Sequence, residues 1–251
     1  MTVAEIFEAR KDDPRLNTSY PPDPQDWAPY RVPGPLPFEP DGHLSFYIHI
    51  PFCRQLCSFC EYTRMICPDE HKQQRYLRAV ARDIEAFREE HPSITLLGFD
   101  IGGGTPTSLS ESSFSMLMDV YRQAVEGVSL GAGYEPGIEG SFSTLSMPKL
   151  EAIARAGISR LSLGVQSSDC NILHRHGRGM QSEAEMAGWL DAIYSAGISK
   201  VNLDFMYGLK GQNPSTIAGD LELISRLHPR QVTLYEVRGN MVKELFCQSK
   251  P

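Results

Sequence analysis

The sequence has 251 residues, of which 41% are hydrophobic and 22% charged, so its composition is that of an ordinary globular protein. Its 24 Lys and Arg residues against 31 Asp and Glu give a formal net charge of −7, which argues against nucleic acid as the main partner because phosphate binding favours a basic surface. No stretch approaches the ~18 consecutive apolar residues of a membrane span, and residues 1–13 lack the basic and apolar regions of a secretory signal, so we expect a cytoplasmic protein without a transmembrane segment.

The first 42 residues differ from the rest of the chain, since they hold nine of the 18 prolines. Proline removes amide donors and favours extended backbone, so the sequence predicts a Pro-rich N-terminal arm over residues 1–42 that lies across a folded body. A disordered leader is the alternative. Trp27, Tyr30 and Phe38 favour docking of the arm, because aromatic side chains gain most from burial.

Beyond residue 42, short β-rich runs alternate with segments of helical periodicity. The predicted strands are 43–50, 94–101, 134–141, 159–166, 200–208 and 231–238. The helical patterns between them lie in 72–90, 114–125, 150–157, 182–197 and 217–227. Ser182 and Glu185 form a capping box at one helix start, and Gly157 and Gly197 are suited to ending helices.

The alternation of strand and helix, repeated six times, implies parallel strands joined by right-handed crossovers. The 209 residues beyond position 42 allow about 35 for each unit, whereas a complete eight-fold barrel takes ~250 residues. The predicted fold is therefore α/β, a partial (β/α)6 barrel in a core domain over residues 43–251. Because the chain ends soon after the sixth strand, we expect this core to lack a C-terminal partner domain.

Three closely spaced cysteines, Cys53, Cys57 and Cys60, follow directly after the first predicted strand. In barrels the loop after a strand lies on the catalytic face. Three thiolates can hold three irons of a [4Fe–4S] cluster, and the fourth iron is then open to a small molecule. A zinc site completed by Cys67 or His71, or a group of packed thiols without a metal, remains as the alternative.

The other cysteines are less informative. Cys170 and Cys247 have no partner in spacing, and no role is assigned to them or to Cys67. Clustered thiols in a chain without a secretory signal favour metal or redox chemistry in a reducing compartment over disulfides.

The cysteine spacing and four sequence blocks resemble a known family. The spacing C-x3-C-x2-C, with Phe59 before the third cysteine, is similar to the signature of radical S-adenosylmethionine (SAM) enzymes. The blocks that resemble the oxygen-independent coproporphyrinogen III oxidase branch, which includes heme chaperones, are YIHIPFC (47–53), GGGTPT (102–107), RLSLGVQ (160–166) and DFMYGLKGQ (204–212). The resemblance runs from about Phe46 to Tyr235.

The resemblance implies a radical SAM enzyme with two cofactors, a [4Fe–4S] cluster on the three cysteines and SAM at the open iron. It further implies that a flavodoxin or ferredoxin supplies one electron, and that the 5′-deoxyadenosyl radical so formed acts on a tetrapyrrole-type substrate in porphyrin or heme metabolism. The alternatives within the branch are a heme-binding chaperone without oxidase activity and a radical SAM C-methyltransferase or cyclopropanase.

The resemblance also implies a set of site residues. Those expected to contact SAM are Tyr47, Phe59, Gly103, Gly104, Thr105, Glu139, Gln166, Arg178 and Asp204. Among them, Gly102–Gly104 is expected at the methionine amine and Glu139 at the ribose, and Tyr47 and Asp204 are candidate catalytic groups. Without the resemblance, a triple glycine is more often a plain turn and each polar residue an ordinary surface group. Tyr47 and His49 are expected at the barrel mouth, and the alternative for Tyr47 is a core position with a bonded hydroxyl.

The sequence departs from the family pattern in three respects. Tyr62 stands where the oxidase usually has a further cysteine, which favours the chaperone-like relatives. Lys210 takes the proline position of the family's YGLPGQ block. We expect the family's C-terminal domain to be absent, and the chain to be a truncated or inactive copy or one half of a complex. Two histidines in a polar loop, His174 and His176, are expected to be solvated, and the alternative is that they face a porphyrin-like substrate.

Overall fold

The computed structural model describes residues 42–237, which contain eight strands and six α-helices. The strands are β1 (His43–Ile50), β2 (Phe52–Cys53), β3 (Met65–Ile66), β4 (Thr95–Gly103), β5 (Ser129–Gly140), β6 (Arg160–Gln166), β7 (Lys200–Tyr207) and β8 (Gln231–Glu236). The helices are α1 (Glu70–Glu90), α2 (Glu111–Val125), α3 (Met147–Arg155), α4 (Cys170–Arg175), α5 (Glu183–Ser195) and α6 (Pro214–Leu227). The predicted arm, apart from Gly42, and Cys247 lie outside the described residues.

Six of the strands form one sheet in the order β1-β4-β5-β6-β7-β8, and every neighbouring pair is parallel. Within residues 42–237, β1 and β8 each have one neighbour in this sheet, so the sheet is not closed. The α/β fold and the partial barrel are therefore confirmed. Parallel strands joined by helical connections end at a common edge, and this edge is where functional side chains of such folds collect.

All six predicted strands are present, and the largest difference lies in β5, which begins at Ser129 rather than at 134. Its first residues are exposed and include Gly131 and Gly133, so they lack the apolar alternation that marks a half-buried strand. The predicted segment is the part whose side chains reach the core. Sequence reasoning therefore found the buried half of the strand and missed the exposed half.

Side-chain caps define the helix starts. Asp69 accepts hydrogen bonds from the backbone N–H groups of His71 and Lys72, so α1 begins at Glu70, before the first residue of its apolar pattern. The predicted capping box of Ser182 is present at the start of α5. No helix of residues 42–237 combines the length and apolarity that crossing a bilayer requires.

The core lies along the middle strands of the sheet. Consecutive residues are buried in β6 at 161–163 and in β7 at 201–203, which means that both faces of the sheet are covered there. Phe99 on β4 and Phe205 on β7 are almost fully buried. This packing fixes the strands firmly and leaves their carboxyl ends as the place where loops and polar side chains vary.

Candidate cofactor-binding site

The cysteine loop runs from β2 to β3 at the carboxyl end of β1. The two short strands pair with each other, and the Met65 N–H donates to the Pro51 carbonyl at 2.7 Å, so the loop is closed at its base. Cys53 and Cys57 are buried, whereas Cys60 is partly exposed. The loop is therefore a formed element with its thiols held on one short stretch of chain.

The glycine segment after β4 packs directly against Cys53. The Gly104 N–H donates to the Ile50 carbonyl at 2.8 Å, and a Cβ atom on Gly104 would lie 2.9 Å from the Cys53 Sγ. The Thr105 hydroxyl lies 3.7 Å from the same sulfur. Burial raises the pKa of the Cys53 thiol, and the Thr105 hydroxyl acts in the opposite direction. Only glycine fits at position 104, because any side chain would meet the sulfur and the backbone.

The two preceding glycines pack against a histidine and a carboxylate. Gly103 has φ +113°, and a Cβ atom there would lie 2.7 Å from the His49 ring. A Cβ atom on Gly102 would lie 2.7 Å from the Glu139 carboxyl carbon. The Gly103 N–H donates to Glu139 Oε2 at 3.1 Å, and burial is the main cause that raises the pKa of this carboxyl. The triple glycine is therefore a close-approach site rather than a plain turn.

Gln166 ends β6 with φ +75°, an unusual conformation for a residue with a side chain. The pairing of β6 with β7 shifts register between Gly164 and Gln166, so a bulge turns the strand end. Arg178 donates a hydrogen bond to the Gly164 carbonyl and lies with Nη1 3.9 Å from the Cys57 Sγ. The hydrogen bond to the end of β6 thereby holds the Arg178 cation next to the cysteine loop.

Asp204 lies near the end of β7 and is partly buried. Its Oδ1 accepts a hydrogen bond from Asn202 Nδ2 at 2.7 Å. Burial is the main cause that raises its pKa to about 6, the negative charge of Glu139 adds to the rise, and Arg178 opposes it. The two carboxyl groups therefore act on each other electrostatically across the strand ends.

Tyr47 lies on the edge strand β1 and is 55% exposed, so the alternative of a core tyrosine is wrong. Its hydroxyl lies 3.4 Å from His49 Nδ1, and His49 Nε2 lies 2.8 Å from the Thr63 carbonyl oxygen of the cysteine loop. Partial burial and the nearby charge of Glu139 raise the pKa of Tyr47 to about 12. Its phenol is consequently neutral at physiological pH.

The expectation that both loop histidines are solvated is wrong for His176. His174 is exposed, but His176 is 6% exposed and its Nδ1 lies 2.7 Å from the Ser58 hydroxyl. The Ser58 N–H donates to the His176 carbonyl at 3.1 Å, and the His176 ring lies 5.9 Å from that of Phe59. Sequence reasoning missed this contact because α4 is too short to show a helical period; the capping residue Asp169 was the available signal.

The thiol arrangement bears on the zinc alternative. Cys67 is buried in the hydrophobic core and its thiol donates to the Asp69 carbonyl at 3.6 Å. Across residues 42–237, no group of three His, Cys, Asp or Glu side chains is arranged to hold a single metal ion. Tetrahedral zinc at ~2.3 Å from each sulfur requires closely gathered ligands, whereas a [4Fe–4S] cluster binds each cysteine at a separate corner.

The residues present suit a cluster together with a small polar cofactor. The cysteine loop supplies soft sulfur donors and Arg178 a cation beside them. The glycine segment offers backbone at close approach, and the carboxylates of Glu139 and Asp204 are acceptors suited to hydroxyl or ammonium groups. Of the predicted site, the structure joins Cys53 with Gly104 and Thr105, Gly103 with Glu139, and Cys57 with Arg178.

Comparison with known proteins gives the same assignment. The family model described as the Radical SAM superfamily matches residues 47–224. Oxygen-independent coproporphyrinogen III oxidase of Escherichia coli (strain K12) is 31% identical over 200 residues, which are 78% of this chain and 42% of that protein. The heme chaperone HemW of the same organism is 33% identical over 199 residues, which are 77% of this chain and 50% of that protein.

A solved structure, coproporphyrinogen III oxidase (HemN) from Escherichia coli, which is described as a radical SAM enzyme, matches with a TM-score of 0.72 and 28% identity. The match covers 81% of this chain and 46% of that chain. Streptococcus suis SuiB matches with a TM-score of 0.51 at 14% identity, and this likeness shows the fold alone. The chain spans about half the length of the curated relatives it matches.

The matched segment begins at Tyr47 in β1 and ends at Ile224 in α6, so it includes every strand end of the site except that of β8. The cofactors implied by the resemblance, a [4Fe–4S] cluster and SAM, are those of the matched superfamily. The sequence blocks, the open parallel sheet and the family model agree, and the chain belongs to the radical SAM superfamily.

Proposed function

We propose that this chain binds a [4Fe–4S] cluster through Cys53, Cys57 and Cys60 and binds SAM across the glycine segment of β4. The observation that carries the proposal is the contact between the Cys53 sulfur and Gly104, next to the hydrogen bond from Gly103 to Glu139. This contact supports the proposal, because the Cys53 sulfur lies beside the backbone that would receive the methionine part of SAM. When bound and reduced, these cofactors supply a 5′-deoxyadenosyl radical that removes hydrogen from a substrate.

The protein side chains would hold and orient the cofactor. Glu139 would accept a hydrogen bond from a ribose hydroxyl, since its carboxylate is already aligned by the hydrogen bond from the Gly103 N–H. Arg178 has the planar fork that pairs with a carboxylate, and its position beside Cys57 suits the carboxylate of the methionine part. Gln166 and Asp204 would contact SAM at the ends of β6 and β7, and Phe59 and Thr105 would line the cysteine side.

The substrate class follows from the branch. Both curated relatives described above act in connection with coproporphyrinogen or heme, so we propose a tetrapyrrole-type substrate or ligand and an external flavodoxin or ferredoxin as electron donor. The free, clustered thiols favour a reducing compartment. Tyr47 lies exposed at the mouth, where it would face the substrate.

A heme chaperone without oxidase activity is the second candidate. Tyr62, which stands where the oxidase usually has a further cysteine, is 63% exposed at the outer part of the cysteine loop. A phenol oxygen is a harder ligand than a thiolate sulfur and forms no disulfide, so this position favours the chaperone-like relatives. The identity to oxidases and chaperones is similar and does not separate them.

The first experiment is anaerobic reconstitution with iron and sulfide, followed by incubation with dithionite and SAM. We expect about four irons and four sulfides per chain and release of 5′-deoxyadenosine. Cys57→Ala should lose the cluster, whereas Cys170→Ala, which removes an exposed thiol at the start of α4, should retain it. Zinc without sulfide, or equal loss in both variants, contradicts the proposal.

The second step separates the two candidate functions. Turnover of coproporphyrinogen with consumption of SAM identifies an oxidase. Binding of heme in a fixed ratio, without turnover of coproporphyrinogen, identifies a chaperone. Release of 5′-deoxyadenosine that no tetrapyrrole accelerates contradicts the proposed substrate class and leaves the proposed cofactors in place.

A further inference from the structure

Lys149 on α3 is a buried cation that the proposed SAM contacts do not include. It is 3% exposed, and its Nζ donates to the Thr107 carbonyl at 2.7 Å and to the Thr144 carbonyl at 3.2 Å. The first carbonyl lies in the turn Pro106–Ser108 after β4, and the second lies in the turn Phe142–Thr144 after β5. One side chain therefore joins the two loops that follow neighbouring strands.

The two loops are also joined directly beneath the lysine. The Thr107 and Thr144 hydroxyls lie 2.6 Å apart, and the Ser141 N–H donates to the Thr107 hydroxyl at 3.2 Å. A Cβ atom on Gly140 would lie 2.8 Å from the Thr107 side chain. The contact between the loops is thus closely packed and hydrogen-bonded. Lys149 donates to two carbonyls that this contact would otherwise bury without a donor.

The joined loops carry the residues proposed to hold SAM. Thr107 follows Gly104 by three positions, and Ser141 follows Glu139 by two. The cysteine loop is connected to the same unit, because Arg54 donates to the Ser143 carbonyl at 3.1 Å and the Ser108 hydroxyl donates to the Phe52 carbonyl at 2.9 Å. A shift of one loop relative to the other would change the distance between the glycine segment and Glu139.

A buried lysine at this position carries a free-energy cost of desolvation. Burial lowers the pKa of Lys149, which records the cost of removing its charge from water, and the charge of Glu111 partly offsets that cost. An apolar residue in the same helix would avoid the cost and would leave two carbonyls without a donor. The position therefore serves the loops rather than the core alone.

We propose that Lys149 is a positioning residue for SAM, one that holds the loop after β4 and the loop after β5 at the separation that the cofactor requires. The proposal rests on the proposed function. Binding sites depend on such support, because small displacements of the groups that contact the ligand strongly weaken binding and catalysis. Lys149 itself does not contact the cofactor in this arrangement.

The test compares Lys149→Met with a destabilised control in the full chain. Lys149→Met keeps the length of the side chain and removes the donor, and we expect the Kd of the cluster-loaded protein for SAM to rise by about tenfold at unchanged iron content. Lys149→Arg, which retains a donor, should recover part of the affinity. Leu150→Ala, at a fully buried neighbour on α3, should lower the thermal midpoint at least as much and change the Kd for SAM by less than about twofold.

Each outcome decides the proposal. A Lys149→Met protein that melts earlier but binds SAM as tightly as the parent assigns the lysine to stability alone and overturns the proposal, and so does an equal loss of SAM affinity in Leu150→Ala. If Lys149→Met does not fold, Thr144→Val removes one hydroxyl of the joint and should raise the Kd for SAM by about threefold at retained iron content; an unchanged Kd is contrary. A parent protein that loads its cluster but binds no SAM overturns the proposed function, and the inference with it, which is a result distinct from a loss confined to the variants.

Discussion

The carboxyl groups of Glu139 and Asp204 give the candidate site its electrostatic character. Both have a raised pKa, chiefly because burial penalises the charged form, and the negative charge of Glu139 raises the pKa of Asp204 further. Arg178 is the nearby cation that acts in the opposite direction on Asp204. In the protein without cofactor, ionisation of the two carboxyl groups is therefore unfavourable. A ligand with ammonium or hydroxyl donors would stabilise their charged forms.

The raised pKa of Asp204 predicts a pH-dependent stability. Its pKa lies near 6 in the folded protein against 3.8 for the ordinary group, so the folded state binds the proton more tightly than the unfolded state. The stabilisation is fully present below pH ~4 and is lost as pH rises through ~6, with a limit of about 3 kcal/mol for two pKa units. Asp204→Asn should abolish this part of the pH dependence.

The measurement is urea unfolding of the cofactor-free parent and of Asp204→Asn at several pH values between 4 and 7. The free energy of unfolding of the variant relative to the parent should rise across this range, because the parent alone loses the proton-linked term. The control substitution is Asp100→Asn, at a half-exposed carboxylate paired with Arg160, and the proton-linked change of Asp204 should remain in it. A difference between parent and Asp204→Asn that stays flat from pH 4 to 7 contradicts the pKa assignment.

At the scale of elements, the turn after α4 supports the cysteine loop. His176 holds Ser58 through its ring and its carbonyl, and a Cβ atom on Gly177 would lie 3.2 Å from the Leu56 carbonyl oxygen. Arg178 then reaches the Cys57 sulfur. Three consecutive residues therefore contact the loop on which the cluster is proposed to sit, and they determine how firmly it is held.

We expect His176→Phe and Ser58→Ala each to weaken the folded loop by about 1 kcal/mol, because each removes the same side-chain hydrogen bond. Phenylalanine retains the ring packing on Phe59. The half-life of the reconstituted cluster in air should shorten by about fivefold in either variant, and the double variant should lose little more than one of them.

His174→Phe serves as the control, since it makes the same substitution at an exposed histidine in α4, two residues before the turn, and should leave the half-life of the cluster unchanged. Fully additive losses in the double variant would show that the two side chains act separately. Equal half-lives in the parent and His176→Phe would remove the turn from the account of the site.

The elements that sequence predicted and those it missed differ in the range of their interactions. Cysteine spacing, glycine runs and capping boxes are local patterns, so Cys53 and the start of α5 were found directly. The roles of His176 and Lys149 each depend on a partner more than 35 residues away in sequence, Ser58 and Thr107, and no periodicity carries that information. The burial of these two residues reveals their roles, and the burial of a single polar residue cannot be predicted from its neighbours in sequence.

At the scale of the whole molecule, the strand order places all the proposed contacts at one edge of the sheet. The strand-to-helix loops after β1, β4, β5, β6 and β7 lie at this carboxyl edge, whereas the helix-to-strand loops lie at the opposite edge. The alternation of strands and helices was sufficient to predict this common edge. The pairing of particular side chains along it was not predictable, because register shifts such as that between Gly164 and Gln166 set it.

This arrangement predicts where SAM will slow the exchange of backbone amides. In the cluster-loaded protein, hydrogen–deuterium exchange should slow on addition of SAM in the peptides that cover 102–107, 139–144 and 204–208, because a ligand across the strand ends removes water and suppresses local opening there. The peptides that cover 157–159 and 197–199, at the opposite edge, should exchange at the same rate with and without SAM. The groove between α1 and α2, lined by Ala81, Ile84 and Val120 among others, supplies an independent reference. Slower exchange in this groove, with no change at 102–107, would place the cofactor away from the cysteine loop and contradict the proposed site.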